Sequence, residues 1–307
     1  MKYPYIPIEV TIRTVQSRFL LKPSEELNDL ILGVLGRALF LYSGIRLFEF
    51  KFASNHFHMI LAAPDARTLS LFLNHINSNI AREAGRLYDW HDKFWSRRVR
   101  QIVILDDEAL FKKSRYIMAH GCKEWLVPKP LDWPGVSTDR ALAYGEKLEG
   151  TWYDRTGYYR AQRSGKNVSL KDFAIKYEVP IHPMPYLEAK SEKQQQEFYQ
   201  HMLREIEQDT WQKSVDESKG FLGIHAVLGQ DPHAKPLSTK RSRAPLCYGS
   251  KRAERKAYER MYRKFVSLYR QAVERFKQGE QDVRFPPGCF LPPMVCPTPM
   301  TYAPSTG

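Results

Sequence analysis

The chain has 307 residues, 43% of them hydrophobic and 13% aromatic, enough to bury a full core in one large domain or two ordinary ones. Lys and Arg exceed Asp and Glu by 47 to 34, giving a net charge of +13 that points to a polyanionic partner, either nucleic acid or an acidic membrane surface. The composition excludes a low-complexity chain, and four cysteines in this length exclude a disulfide-stapled miniprotein.

No apolar run approaches the roughly 20 residues of a membrane helix, and the opening MKYPYIPIEV lacks the basic head and long apolar stretch of a secretory signal. The expectation is a cytoplasmic protein without a membrane partner. Cys122, Cys247, Cys289 and Cys296 are then expected as reduced thiols, and Cys289 and Cys296 are too widely spaced for the usual zinc knuckle.

Ile8, Val10 and Ile12 alternate with Glu9, Thr11 and Arg13, which predicts a first strand. Pro23 and Ser24 open a helix with Glu25 and Glu26 in its first turn and an apolar stripe from Leu27 to Leu39. A second strand, Ile45 to Phe52, is read with Phe48, Phe50 and Phe52 on one face. Ala53, Ser54 and Asn55 turn it into a third strand, His56 to Leu61. Leu69, Phe72, Leu73, Ile76 and Ile80 predict a second helix, and Trp95 to Ile104 a further strand studded with Arg97, Arg98 and Arg100. A third helix is expected from Asp106 to a C-terminal cap at Gly121.

The resulting β-α-β-β-α-β order is that of an α+β, ferredoxin-like fold, an antiparallel sheet with helices on one face. Residues 1–145 would form this domain. Residues 146–307 would form a basic C-terminal extension with helical stretches at Glu188 to Lys213 and Lys251 to Lys277 and a proline-rich tail from Phe285. Eleven Lys or Arg against two acidic residues between Lys235 and Lys264 read either as a solvated helix face or as a phosphate-gripping surface. The cluster Trp152, Tyr153, Tyr158 and Tyr159 with Arg155 and Arg160 reads as core packing or as a base-stacking platform.

His56 and His58 lie two apart on a strand, so both imidazoles project from one face, spaced to chelate one ion. Alone, the pair fits equally a hydrogen-bonded sheet edge. Tyr116 and His120 are one helical turn apart, so the phenol and a third imidazole share a helix face. On their own they read as a core tyrosine and a histidine near a helix end.

The segments NHFHMIL (Asn55 to Leu61), FWSRRVR (Phe94 to Arg100), RYIMAH (Arg115 to His120) and LVPKPLDWPGVS (Leu126 to Ser137) together resemble the REP-associated tyrosine transposases, of the single-tyrosine HUH superfamily. The resemblance runs from about Ile8 to Val136. It implies an HUH domain with Tyr116 as nucleophile and a divalent metal, magnesium or manganese ahead of zinc, at His56, His58 and His120. It also implies cleavage and rejoining of single-stranded DNA beside imperfect hairpins or palindromes, through a 5′-phosphotyrosine, by a monomer or homodimer that gathers on the bacterial nucleoid when bound to DNA.

Asn55, Arg97, Arg98, Arg100, Lys112 and Lys113 are the expected DNA contacts, with Lys112 and Lys113 also placed to help form the phenolate or else simply solvated. The sequence departs from the family pattern at Ser54, where a proline is usual, at His120, where an amide is usual, and at Gly121, where a proline commonly follows. Three imidazoles favour softer ions such as manganese or zinc over magnesium. Exchange of a phosphodiester for a phosphotyrosine needs no nucleotide, consistent with the absence of a G-x-x-x-x-G-K-[ST] loop. The alternatives are a DNA-binding regulator on the same fold without cleavage, and a three-histidine metal-dependent hydrolase.

Overall fold

A computed structural model describes residues 5–237, 244–280, 282–290 and 292. In chain order the elements are β1 (Ile8–Arg13), α1 (Glu25–Leu41), β2 (Arg46–Ala53), β3 (His56–Ala62), α2 (Ala66–Leu87), β4 (Arg100–Ile104), α3 (Asp107–Met118) and α4 (His120–Lys123). They continue with α5 (Asp139–Tyr144), β5 (Glu149–Tyr153), α6 (Arg155–Arg163), β6 (Ala174–Glu178), α7 (Glu192–Asp216), α8 (Ile224–Leu228), β7 (Cys247–Tyr248) and α9 (Arg252–Lys277). The fold is mixed α+β, with a five-stranded sheet in the order β2-β3-β1-β4-β7. Its first four strands are antiparallel, and β7 joins β4 in parallel.

Helix starts follow local chemistry. Ser24, Asp65 and Asp106 each accept a hydrogen bond from the backbone N–H three residues on, capping α1, α2 and α3. Behind those caps the apolar stripes of α1 and α2 lie on one face of the sheet, against Val10, Ile12, Phe50, Phe52, Phe57, Met59 and Leu61. The second face is also covered, a correction to the expectation of helices on one side only. Leu110, Ile117 and Met118 of α3 and Tyr199, Met202, Leu203 and Ile206 of α7 pack there on Phe48, Ile60 and Ile104.

Phe48 reaches that second core because the β2 register shifts between Leu47 and Glu49. Leu47 pairs with Leu61 and Glu49 with Ile60, so the three phenylalanines do not share a face. Two further expectations change. The strand expected from Trp95 begins only at Arg100, with Trp95 joined to Thr14 by a single bridge. The third helix breaks at Ala119 and resumes as α4 through Gly121 to Lys123. Gly121 is there for closeness and not as a cap: a Cβ on it would lie 3.0 Å from Val127 and 3.2 Å from the Trp133 ring.

Residues beyond 145 pack onto this frame. The β5-β6 hairpin lies on α1, so closely that a Cβ on Gly33 would stand 2.1 Å from the Thr151 carbonyl oxygen. Trp152 stacks on His75 with ring centroids 5.6 Å apart, whereas α6, with Tyr158 and Tyr159, buries no residue. Only Ala272 of α9 is buried, and that helix carries most of the described part of the basic stretch. Lys240, Arg241, Arg243, Cys296 and nearly all the proline-rich tail beyond Cys289 lie outside the described residues. Cys122, Cys247 and Cys289 are free thiols. Among the described residues no helix is long and apolar enough to cross a membrane.

Candidate metal and nucleophile site

The second face of the sheet is unusually polar for a buried surface, and register explains which groups meet there. In antiparallel pairs, residues directly opposite share a face. His56 stands opposite Arg13 and Ala53, and His58 opposite Thr11 and Lys51, with Glu9 and Glu49 flanking Ile60 one step along. The α3–α4 segment crosses this face and adds Tyr116 and His120. His56, His58 and His120 are 8%, 9% and 6% exposed, and one ring nitrogen from each falls within 4.8 Å of the others. Ring centroids are 5.1 Å apart for His56 and His58, 4.7 Å for His56 and His120, and 5.2 Å for His58 and His120.

Two of the imidazoles are oriented from behind. The Nδ1 of His56 lies 2.6 Å from Asn55 Oδ1, and the Nδ1 of His58 lies 2.9 Å from Glu9 Oε1. When each Nδ1 carries the proton, Nε2 presents its lone pair to the cluster. His120 Nδ1 is buried without a hydrogen-bond partner among the described residues. Burial, then the neighbouring histidines, hold His56 well below its usual pKa. Burial, followed by His58 and Lys51, does the same for His120. These two imidazoles are therefore neutral at neutral pH, the form that ligates a cation. An orphaned ring nitrogen beside two pre-oriented ones fits a divalent ion.

Tyr116 stands at the rim, half-buried, its ring 5.7 Å from His58 and 5.9 Å from His120. Burial, followed by the carboxylates of Glu124 and Glu9, raises its pKa above that of an ordinary phenol, and Arg13 opposes them. Two ammonium groups lie over the ring, Lys113 Nζ at 4.7 Å and Lys123 Nζ at 4.2 Å from its centroid. Lys113 also meets Glu9 Oε2 at 3.3 Å, with its side chain 13% exposed. It is not a solvated surface lysine. Lys112 is one: it is 67% exposed and pairs with Glu108.

The structure thus brings together His56, His58, His120, Tyr116 and Lys113 of the residues singled out in sequence. Asn55 sits beside them with its side chain engaged on His56 and on the Ser17 carbonyl. Arg100 is half-exposed on β4 and adds its charge near Arg13. Arg97 and Arg98 are exposed and line an open cleft of about 740 Å³ with Arg82, Arg86, Trp90 and Lys93. Sequence reasoning missed Glu9, Arg13 and Lys123, as well as the buried Lys51–Asp139 pair beneath the site.

The sequence matches no protein-family model and no curated protein. Among solved structures, the chain is similar to a REP-associated tyrosine transposase bound to a REP hairpin, at 18% identity and a TM-score of 0.35, over 47% of this chain and 85% of that one. It is also similar to a presumed transposase from Deinococcus radiodurans R1, at 14% identity and a TM-score of 0.28, over 38% of this chain and 91% of that one.

Proposed function

We propose that the protein cleaves and rejoins single-stranded DNA beside hairpins, as a transposase does, with Tyr116 as the nucleophile. The observation that carries this reading is the convergence of one phenol and three buried imidazoles, from β3 and from the α3–α4 segment, at a single rim. The sequence resemblance predicts the same grouping from motifs 58 or more residues apart.

His56, His58 and His120 would hold a divalent cation, which when bound polarises a non-bridging phosphate oxygen and orients the phosphodiester. The remaining work falls to the chain itself. At rest Tyr116 is a protonated phenol, since burial and the nearby carboxylates disfavour its anion. As its oxygen bonds to phosphorus it gives that proton to solvent water, and the ammonium groups of Lys113 and Lys123 stabilise the developing negative charge. The bond from phosphorus to the 3′ oxygen breaks, and that oxygen leaves as a hydroxyl after taking a proton from solvent. The 5′ phosphate remains on Tyr116, and attack by a 3′ hydroxyl reverses the step with no external energy.

Arg13 on β1 and Arg100 on β4, with Arg97 and Arg98 from the open cleft ahead of β4, would hold the flanking strand by phosphate contacts. Asn55 acts in this reading by orienting His56, and Lys112 at most by long-range charge. All groups assigned to chemistry precede residue 145, which we take as a boundary of chemistry.

The test is covalent capture. Full-length protein, incubated with Mn²⁺ and a library of single-stranded hairpin oligonucleotides with randomised flanks, should give an adduct that survives SDS electrophoresis. Tyr116→Phe should bind the same oligonucleotides and give none. An equal adduct yield from Tyr116→Phe would refute the assignment of the nucleophile. DNA binding without adduct in the wild type would favour a regulator, and strand hydrolysis without adduct a three-histidine hydrolase.

A further inference from the structure

Beyond Val136 the sequence carries no resemblance that assigns any residue to this site, yet one residue far beyond it arrives there. The two residues of β7 extend the sheet in parallel with β4, pairing Cys247 with Val103 and Tyr248 with Ile104. The segment is fixed at both ends. The Tyr248 carbonyl accepts from Leu105 N at 2.9 Å, and Ser250 N donates at 2.7 Å to Oδ2 of Asp106, the residue that caps α3. Arg255 of α9 donates to the Ser250 carbonyl at 3.1 Å.

This anchoring directs Tyr248 toward the buried second face. Its ring centroid is 3.9 Å from Lys113 Nζ, closer than the 4.7 Å from that nitrogen to the Tyr116 ring. Its phenol lies beside the Glu9 carboxylate, whose Oε2 is buried without a hydrogen-bond partner among the described residues. Lys113 therefore lies among two phenol rings and one carboxylate, and Glu9 in turn orients His58.

We infer that Tyr248 is a positioning residue of this site, holding Glu9 behind His58 through its hydroxyl and Lys113 beside Tyr116 through its ring. The inference deepens the proposed function and rests on it for the roles of His58 and Tyr116. Two separable effects follow from one side chain. The hydroxyl offers a donor to a carboxylate that is 1% exposed and whose Oε2 has no hydrogen-bond partner among the described residues. The ring face supplies a fixed seat for an ammonium that otherwise has several rotamers. Burial and the adjacent Glu9 raise the Tyr248 pKa, so the phenol keeps the proton it donates.

The test compares full-length wild type, Tyr248→Phe and Tyr248→Ala by three readouts, after circular dichroism has shown equal helix content. The first is Mn²⁺ affinity by calorimetry, the second the imidazole nitrogen resonances of His58 in metal-free protein, and the third the adduct rate at saturating Mn²⁺. Loss of a group directly orienting a ligand costs about 10- to 100-fold in metal affinity, so loss of a donor one step further out should cost roughly 3- to 10-fold. Tyr248→Phe should show that loss and a displaced His58 resonance, with a fall in adduct rate at saturating Mn²⁺ much smaller than that of Tyr248→Ala, because the ring remains over Lys113. Tyr248→Ala should add a fall in that rate of about tenfold.

A merely structural tyrosine would not divide affinity from rate in this way. Unaltered Mn²⁺ affinity and an unmoved His58 resonance in Tyr248→Phe would overturn the inference, as would equal rates for the two variants. A wild type that forms no adduct would instead refute the transesterification, and the calorimetric and nuclear resonance comparisons would still decide the role of Tyr248.

Discussion

The buried pair beneath the site gives a stability prediction that can be worked from the geometry. Lys51 Nζ lies 2.7 Å from Asp139 Oδ2 and 2.7 Å from the carbonyl of Met118, the residue that ends α3, and both side chains are 1% exposed. Asp139→Ala leaves an ammonium buried against one carbonyl, and breaking such a pair from one side costs about 3–5 kcal/mol. Lys51→Met should cost less, because burial already raises the pKa of Asp139 and the carboxyl can take a proton once Lys51 is gone. Removing Lys51 also removes the influence that opposed this rise. A carboxyl whose folded pKa is raised binds its proton more tightly in the folded state, so the stability of Lys51→Met should fall as pH rises above the unfolded carboxylate range of about 4. The double variant Lys51→Met with Asp139→Leu should recover most of the loss. Urea denaturation followed by circular dichroism, at pH 5 and pH 8, measures all four proteins. A cost below about 1 kcal/mol for Asp139→Ala, or no recovery in the double variant, would refute the buried-pair account.

Other consequences are simpler. His58→Ala should lose at least about 100-fold in Mn²⁺ affinity by calorimetry, since it removes one imidazole of three together with the partner of Glu9; retention of wild-type affinity would place the ion elsewhere. Burial pushes the Cys122 thiol up to about 11, so at pH 8 its thiolate fraction is on the order of 10⁻³. Iodoacetamide should therefore modify Cys289 well before Cys122, as read by peptide mass spectrometry. Replacing Arg260, Arg263, Lys264 and Arg270 on exposed α9 by Gln should leave the fold unchanged. If those groups meet phosphates, the slope of log affinity against log salt for a single strand should flatten by about 0.7 for each phosphate no longer neutralised; an unchanged slope would mark the helix as a solvated face.

Much of the frame is legible because periodicity reports burial on one side. The alternation at Ile8, Val10 and Ile12, the stripe from Leu27 to Leu39 and the two caps at Ser24 and Asp106 each specify their element locally. The pattern misleads where the second face of the sheet is covered. Glu9, Glu49 and Lys51 read as outward polar residues of half-buried strands, yet they are 1%, 0% and 1% exposed because α3 and α7 lie over them. The bulge that sends Phe48 to that face depends on pairing across β2 and β3 and leaves no mark in β2 alone. Within the site, His56, His58, Tyr116 and His120 could be grouped from spacing and motif. Glu9 could have been found only from its place opposite Ile60, two positions from His58, and Lys123 only from continuation of the helix past Gly121. Tyr248 belongs to a strand of two residues, too short to carry any period, brought in by pairing with segments more than 100 residues away in sequence.

The central claim concerns one oxygen atom, and its fate can be read directly. Full-length protein incubated with Mn²⁺ and hairpin oligonucleotides, then digested with nuclease and protease, should yield one peptide carrying a nucleotide phosphate on Tyr116 in tandem mass spectrometry. Chelator should abolish that peptide, and Lys113→Met should reduce its rate of formation without moving the modified residue. A phosphorylated tyrosine elsewhere, or strand cleavage with every tyrosine unmodified, would contradict the account.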